Sequence, residues 1–139
     1  MLECLILGDS IAVGISQHRS GCVHLARGGI NTSVYNRDYG PSMLIANMDY
    51  HTVIISLGTN DSTGMDTEGN IRRLRGTVQG KQVFWVLPSA ERRPSQRQAV
   101  MKIAAEFRDA IISVDLPQLG ADRIHPTGRG YREIAQKTQ

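Results

Sequence analysis

The chain is poor in aromatic residues, with two Phe, one Trp and four Tyr making up 5% of 139 residues, and it has only two cysteines. Its arginines are scattered, and the few aromatics do not interleave with them as they would on a base-stacking surface, so a nucleic-acid partner is not expected. Two cysteines, Cys4 and Cys22, do not make a disulfide framework. Each stands in an apolar run where a free thiol behaves as a small buried hydrophobe. No apolar run approaches the length of a bilayer span, and Glu3-Cys4-Leu5-Ile6-Leu7 is too short and unflanked for a signal peptide. A soluble chain with no membrane partner, cytoplasmic by default, is the expectation.

What is present fits ordinary globular usage: 40% hydrophobic, 21% charged, a net charge of +3. A chain of this size folds as one domain, 1–139, around one core. The densest basic groups are Arg72, Arg73 and Arg75, then Arg92, Arg93 and Arg97. Exposed helix and loop positions account for them, and an anionic substrate or polymer is the sharper reading.

Short β-branched runs alternate with longer amphipathic stretches, the rhythm of βαβ units around a buried parallel sheet. Strands are predicted near 3–8, 22–26, 52–57, 82–87 and 110–115. The continuous runs Val53-Ile54-Ile55-Ser56-Leu57 and Val83-Phe84-Trp85-Val86-Leu87 mark central strands covered on both faces. Helices are predicted at 11–19, within 32–48, and at 66–78, 94–108 and 126–137, with Pro94 and Pro126 at helix starts. In the fourth, Ala99, Ile103, Ala104 and Phe107 share a face.

Ligands of open parallel sheets bind beyond the carboxyl ends of the strands. Those ends carry Gly8-Asp9-Ser10, Arg27-Gly28-Gly29-Ile30-Asn31-Thr32, Gly58-Thr59-Asn60-Asp61, Pro88-Ser89-Ala90-Glu91 and Asp122-Arg123-Ile124-His125. Alone, Ser10 reads as a helix N-cap, the glycines as a turn and Asn60 as a loop residue. Together they supply the parts of acyl transfer. A serine hydroxyl needs a neutral imidazole to take its proton, and the imidazole needs an acceptor to fix its tautomer. Asp122 and His125, separated by a two-residue turn, provide that pair. Oxyanion donors are available from the Ser10 N–H, a glycine N–H of Gly28-Gly29 and the Asn60 side-chain amide. His18, His24 and His51 have no nearby carboxylate and read as surface or packed residues. No second cluster offers ligands for a metal.

Four separated blocks resemble those of the SGNH hydrolases, the GDSL-like esterases and lipases. Gly8-Asp9-Ser10-Ile11-Ala12-Val13-Gly14 resembles the block of the nucleophile, Gly29 with Thr32 the oxyanion glycine block, Gly58-Thr59-Asn60-Asp61 the asparagine block, and Asp122-Arg123-Ile124-His125-Pro126 with Gly130-Tyr131 the Asp/His block. Two adjacent glycines and an extra residue before Thr32 leave the donor open between Gly28 and Gly29. The resemblance implies a three-layer, flavodoxin-like α/β/α sandwich with five parallel strands ordered 2-1-3-4-5. It also implies an acyl-enzyme on Ser10, with no metal or organic cofactor. The short chain suggests trimmed loops and an open site, hence small, acetyl-type esters such as carbohydrate O-acetyl groups. A thioesterase or longer-chain esterase, and a non-catalytic carbohydrate-binding module, are the alternatives. Ile11, Val13, Ile30, Tyr35, Tyr39 and Pro88, with Gly28 at the turn, are candidates for the substrate wall.

Overall fold

A computed structural model of the chain describes residues 2–42, 45 and 48–139. Five parallel strands, β1 (Leu2–Gly8), β2 (Cys22–Ala26), β3 (Tyr50–Ser56), β4 (Gly80–Val86) and β5 (Ala110–Ile112), form one sheet in the order β2-β1-β3-β4-β5. Helices α1 (Ser10–Ser16), α2 (Thr32–Tyr39), α3 (Thr67–Thr77), α4 (Pro94–Phe107) and α5 (Gly128–Lys137) connect or follow the strands. Part of the helical stretch expected within 32–48 falls on residues 43, 44, 46 and 47, which lie outside the described residues.

The alternation of side chains along a strand sorts the core into two layers. Leu5 and Leu7 of β1 join Val53, Ile55, Trp85, Ile71, Leu74, Val100 and Ile103, under α2, α3 and α4. Cys4 and Ile6 point the other way and meet Ile54, Ile11, Ile15 and Ile134, under α1 and α5. Val53, Ile54 and Ile55 are all fully buried, each burial favourable by about 1.5–3 kcal/mol. The sheet is therefore covered on both faces, as its continuous apolar runs require.

Local chemistry corrects several expectations. Strand β5 stops at Ile112 instead of 115, because its partner β4 ends at Val86 and leaves residues 113–115 nothing to pair with. On α4 Ile103 and Ala104 are buried and Phe107 packs against the core as expected, while Gln96 and Val100 are buried in place of Ala99. The last helix begins at Gly128, capped by Thr127, whose hydroxyl accepts from Gly130 N. Pro126 instead closes a loop as an antiparallel bridge partner of Leu119.

The clearest correction concerns the cysteines. Cys4 and Cys22 are not free thiols: they are joined by a disulfide. They are register partners on adjacent parallel strands, with Cα atoms 4.4 Å apart, within bridging range. Disulfides persist in oxidising surroundings, which the expectation of a cytoplasmic chain with free thiols did not include. Among the described residues no helix is long and apolar enough to cross a membrane.

The bridge ties the edge strand β2 to the central β1 across a sequence separation of 18 residues. For a loop of that size, closing it in the unfolded chain is worth about 3 kcal/mol. Urea unfolding with and without a thiol reductant measures this. The reduced protein should unfold at a clearly lower urea midpoint, and equal midpoints would contradict a structural role for the bridge.

Candidate active site

Strand order reverses between β1 and β3: from β1 the chain moves outward to β2, then returns to the far side of β1 as β3. The crevice at such a reversal is where open α/β sheets bind ligands. The loops after β1 and β3 carry Ser10 and Asn60 to that place.

Gly8 has a φ of +141°, and a side chain there would overlap the Ser56 carbonyl oxygen of β3. Only glycine lets β1 turn so tightly against its neighbour. Asp9 then donates its N–H to Ser56 O at 3.0 Å, while Gly8 O accepts from Arg27 N at 3.0 Å. Three strand ends are stitched together by these two bonds. The N-cap of α1 is Asp9, whose carboxylate accepts from Ile11 N. Ser10 is thus the first helical residue rather than the cap, and its hydroxyl is left for another partner.

That partner comes from the far end of the chain. Ser10 Oγ lies 2.8 Å from His125 Nε2, and His125 Nδ1 lies 2.7 Å from Asp122 Oδ2. The acidic partner selects the tautomer with the proton on Nδ1, so that Nε2 accepts from the serine hydroxyl. The second Asp122 oxygen accepts the backbone N–H groups of Ile124 and His125 at 2.9 and 3.0 Å. The His125 side chain and these two amides hold the Asp122 carboxyl down to about 2.

The loop bearing the pair is braced at its base. Gly120 N donates to His125 O, Arg123 N to Gly120 O and Thr127 N to Gln118 O. Arg123 sits at φ +60°, a left-handed conformation that a non-glycine residue adopts only when its surroundings enforce it. Its guanidinium reaches Glu91 of the loop after β4, 2.6 Å away.

The second loop forms a turn in which Ile30 N bonds to Arg27 O at 3.4 Å and Gly29 has φ +76°, the type II pattern that favours glycine at its third position. A side chain at Gly28 would come within 3.8 Å of Ser10 Cβ, whereas one at Gly29 would meet nothing. Gly28 therefore flanks Ser10 directly. Asn60 uses one amide hydrogen on Ile30 O, 3.0 Å away, and has a second to offer.

A buried carboxylate locks the glycine turn and the Asn60 loop together. Asp61 accepts from Thr32 N at 2.8 Å and from the hydroxyls of Thr32 and Thr67, both at 2.6 Å. Its own carbonyl accepts from Gln96 Nε2. Thr32 and Asp61 are visible in the sequence as parts of the two blocks, but that they bond one another could not be read from it.

Of the candidate wall residues, Ile11, Ile30 and Pro88 are buried, as is Tyr35, whose hydroxyl donates to Leu25 O. Ile30 and Ile11 pack into the core layers on opposite faces of the sheet. Gly28 is exposed beside Ser10. His24 and His51 are exposed, and His18 stacks on Tyr131.

Asp9 is a feature the sequence reading missed. One of its oxygens bonds Ile11 N and Ser56 Oγ, at 3.0 and 3.1 Å, while the other is buried with no partner. Burial outweighs these bonds and pushes the carboxyl up to about 6.

No family model and no curated protein matches the sequence. Solved structures do match its fold. A GDSL-like lipase from Bacteroides thetaiotaomicron superposes with a TM-score of 0.64 at 18% identity, covering 96% of this chain and 84% of that one. An acetylxylan esterase from Geobacillus stearothermophilus gives 0.64 at 19% identity, over 97% and 91% of the two chains. The M. smegmatis aryl esterase gives 0.64 at 16% identity, over 99% and 96%.

Because the folded Asp9 holds its proton to higher pH than the unfolded one, its contribution to stability is complete below pH 4 and is lost as pH rises through about 6. Asp9→Asn removes that loss. The stability of the variant minus that of the wild type, measured by urea unfolding, should rise by about 2–3 kcal/mol between pH 4 and pH 8. A difference flat across that range would show that Asp9 is not held protonated by burial.

Proposed function

We propose that this chain, which has the fold of the SGNH hydrolases, is a serine esterase acting on small acyl esters, with carbohydrate O-acetyl groups as the natural class. The observation that carries the reading is the unbroken chain Ser10 Oγ, His125, Asp122: Ser10 lies 2.8 Å from His125, 115 residues away in sequence, and His125 lies 2.7 Å from Asp122. A helix cap or a packed histidine has no need of such alignment.

In this reading His125 Nε2 takes the hydroxyl proton as Ser10 Oγ attacks the ester carbonyl, and Asp122 stabilises the imidazolium that forms. The carbonyl oxygen, now negative, is met by the N–H of Ser10 at the start of α1, a backbone N–H of the Gly28-Gly29 turn and the second amide hydrogen of Asn60. Collapse of the tetrahedral intermediate expels the alcohol, which leaves with the proton from His125. Water, deprotonated by the same imidazole, then attacks the acyl-enzyme and releases the acid.

Two observations support a short acyl group. The side chains of Asp122 and His125 are 49% and 43% exposed, so the site is open. Ile11 and Ile30, which flank Ser10 and the glycine turn in sequence, are sealed in the core and offer no apolar wall to a long chain. The acetylxylan esterase among the structural neighbours supports an acetyl ester of a carbohydrate.

Hydrolysis of p-nitrophenyl acetate tests the reading. Wild type should turn it over, faster than the octanoate, and Ser10→Ala should fall to background, a loss on the order of 10⁴ or more. Asn60→Ala should lower kcat roughly 100-fold, the effect of losing one oxyanion donor. Equal rates for wild type and Ser10→Ala would overturn the assignment.

A further inference from the structure

Beside Asn60 the surface sinks into a hollow of about 560 Å³, walled by the loop Thr59 to Thr63, by Arg92 and Arg93, and by the start of α4. The exposed charge of its lining is positive. Arg93 gives Nε to Thr59 O at 2.6 Å and a terminal nitrogen to Arg92 O at 2.9 Å. Both acceptors are neutral carbonyls, so neither bond offsets the guanidinium's charge. Arg92 is exposed, and among the described residues neither arginine has a carboxylate partner. Other arginines do: Arg27 pairs with Asp38, Arg72 with Glu106, Arg75 with Asp109 and Arg123 with Glu91.

The carboxylate in the lining, Asp61, does not balance them. It is 4% exposed and committed to Thr32 and Thr67. Helix α4 adds to the same sign: its first turn has no side-chain cap, so its leading N–H groups carry uncompensated partial positive charge. Asn60 belongs both to this hollow and to the catalytic loops.

We propose that the hollow is a subsite for a carboxylate carried by the ester substrate, so that the protein prefers acidic esters to neutral ones. This deepens the serine-esterase reading and rests on it. An ester whose carbonyl oxygen is held at Asn60 has its adjoining groups at the mouth of the hollow. A planar carboxylate matches the fork of a guanidinium, and two such groups beside an uncapped helix end offer a neutral sugar little in comparison. The carboxylate belongs either to the alcohol, as in a uronic acid, or to the acyl group, as in a dicarboxylic half-ester.

Two substrate pairs separate these sources. The first compares 4-acetoxybenzoate with 4-acetoxybenzamide, and the second the p-nitrophenyl half-ester of succinate with p-nitrophenyl butyrate. For each pair the ratio of kcat/KM, anionic over neutral, is measured in wild type, Arg92→Gln and Arg92→Gln/Arg93→Gln. Differences in intrinsic reactivity cancel when the ratio is compared between proteins. In one pair the double variant should lose roughly fivefold or more of the ratio, the effect of two largely exposed charge pairs, and the wild-type ratio should shrink with added salt. Arg92→Glu, at a side chain with no bonding role in the fold, should depress the ratio further, which covers the case in which loss of the Arg93 bond to Thr59 unfolds the double variant. Ratios unchanged in both pairs would overturn the proposal.

A second measurement does not depend on turnover. Benzoate titrated into Ser10→Ala protein should shift the backbone amides of Asn60, Ser62 and Ser95, and these shifts should weaken in Ser10→Ala/Arg92→Gln. Shifts elsewhere, or none, would contradict the subsite. If benzoate binds there but wild type hydrolyses none of the esters, the anion site stands and the esterase reading falls.

Discussion

The turn at Gly8 and Asp9 is the constraint on which the site depends. It occurs where the strand order reverses, and it is tight enough that glycine alone fits against Ser56 of the neighbouring strand. Bonds from Asp9 N to Ser56 O and from Arg27 N to Gly8 O draw the ends of β1, β2 and β3 together. Capping by Asp9 starts α1 at Ser10, which sets the hydroxyl at the rim with its N–H among the orphan donors of a helix start. A cap at Ser10 itself would have spent the hydroxyl on the backbone.

Two buried carboxylates support this edge in opposite ways. Asp61 is fully partnered and joins the glycine turn, the asparagine loop, α3 and α4 into one piece. Asp9 holds the serine turn but leaves one oxygen without a partner, a cost that burial makes large. Position at the reacting edge is thus obtained partly at the expense of stability, and the expense grows as the carboxyl ionises. The disulfide at the other end of β1 and β2 adds stability away from the chemistry.

The fold was legible because burial on both faces leaves continuous β-branched runs, as in Val53 to Leu57, that no amphipathic helix would show. The meeting of Ser10, His125 and Asp122 was legible because these residues stand at or beyond strand ends, where the topology must bring them together. What escaped depended on details that residue patterns do not encode. The Cys4–Cys22 bond follows from the register between β1 and β2, and a run of apolar residues does not specify register. The choice between Asp9 and Ser10 as cap, and between Pro126 and Thr127 at the last helix, turns on backbone angles of a single residue. Ile11 and Ile30 look like site residues from their neighbours in sequence, yet the side chains point inward.

The role proposed for the aligned Ser10, His125 and Asp122 requires one chemical property: a serine that reacts only because an imidazole stands beside it. Mass spectrometry of the folded protein after exposure to a fluorophosphonate probe tests it. One phosphonyl adduct on the peptide containing Ser10, lost in His125→Ala, is the result expected. No adduct on folded protein, or an adduct at another residue, would contradict the assignment of Ser10 as the nucleophile.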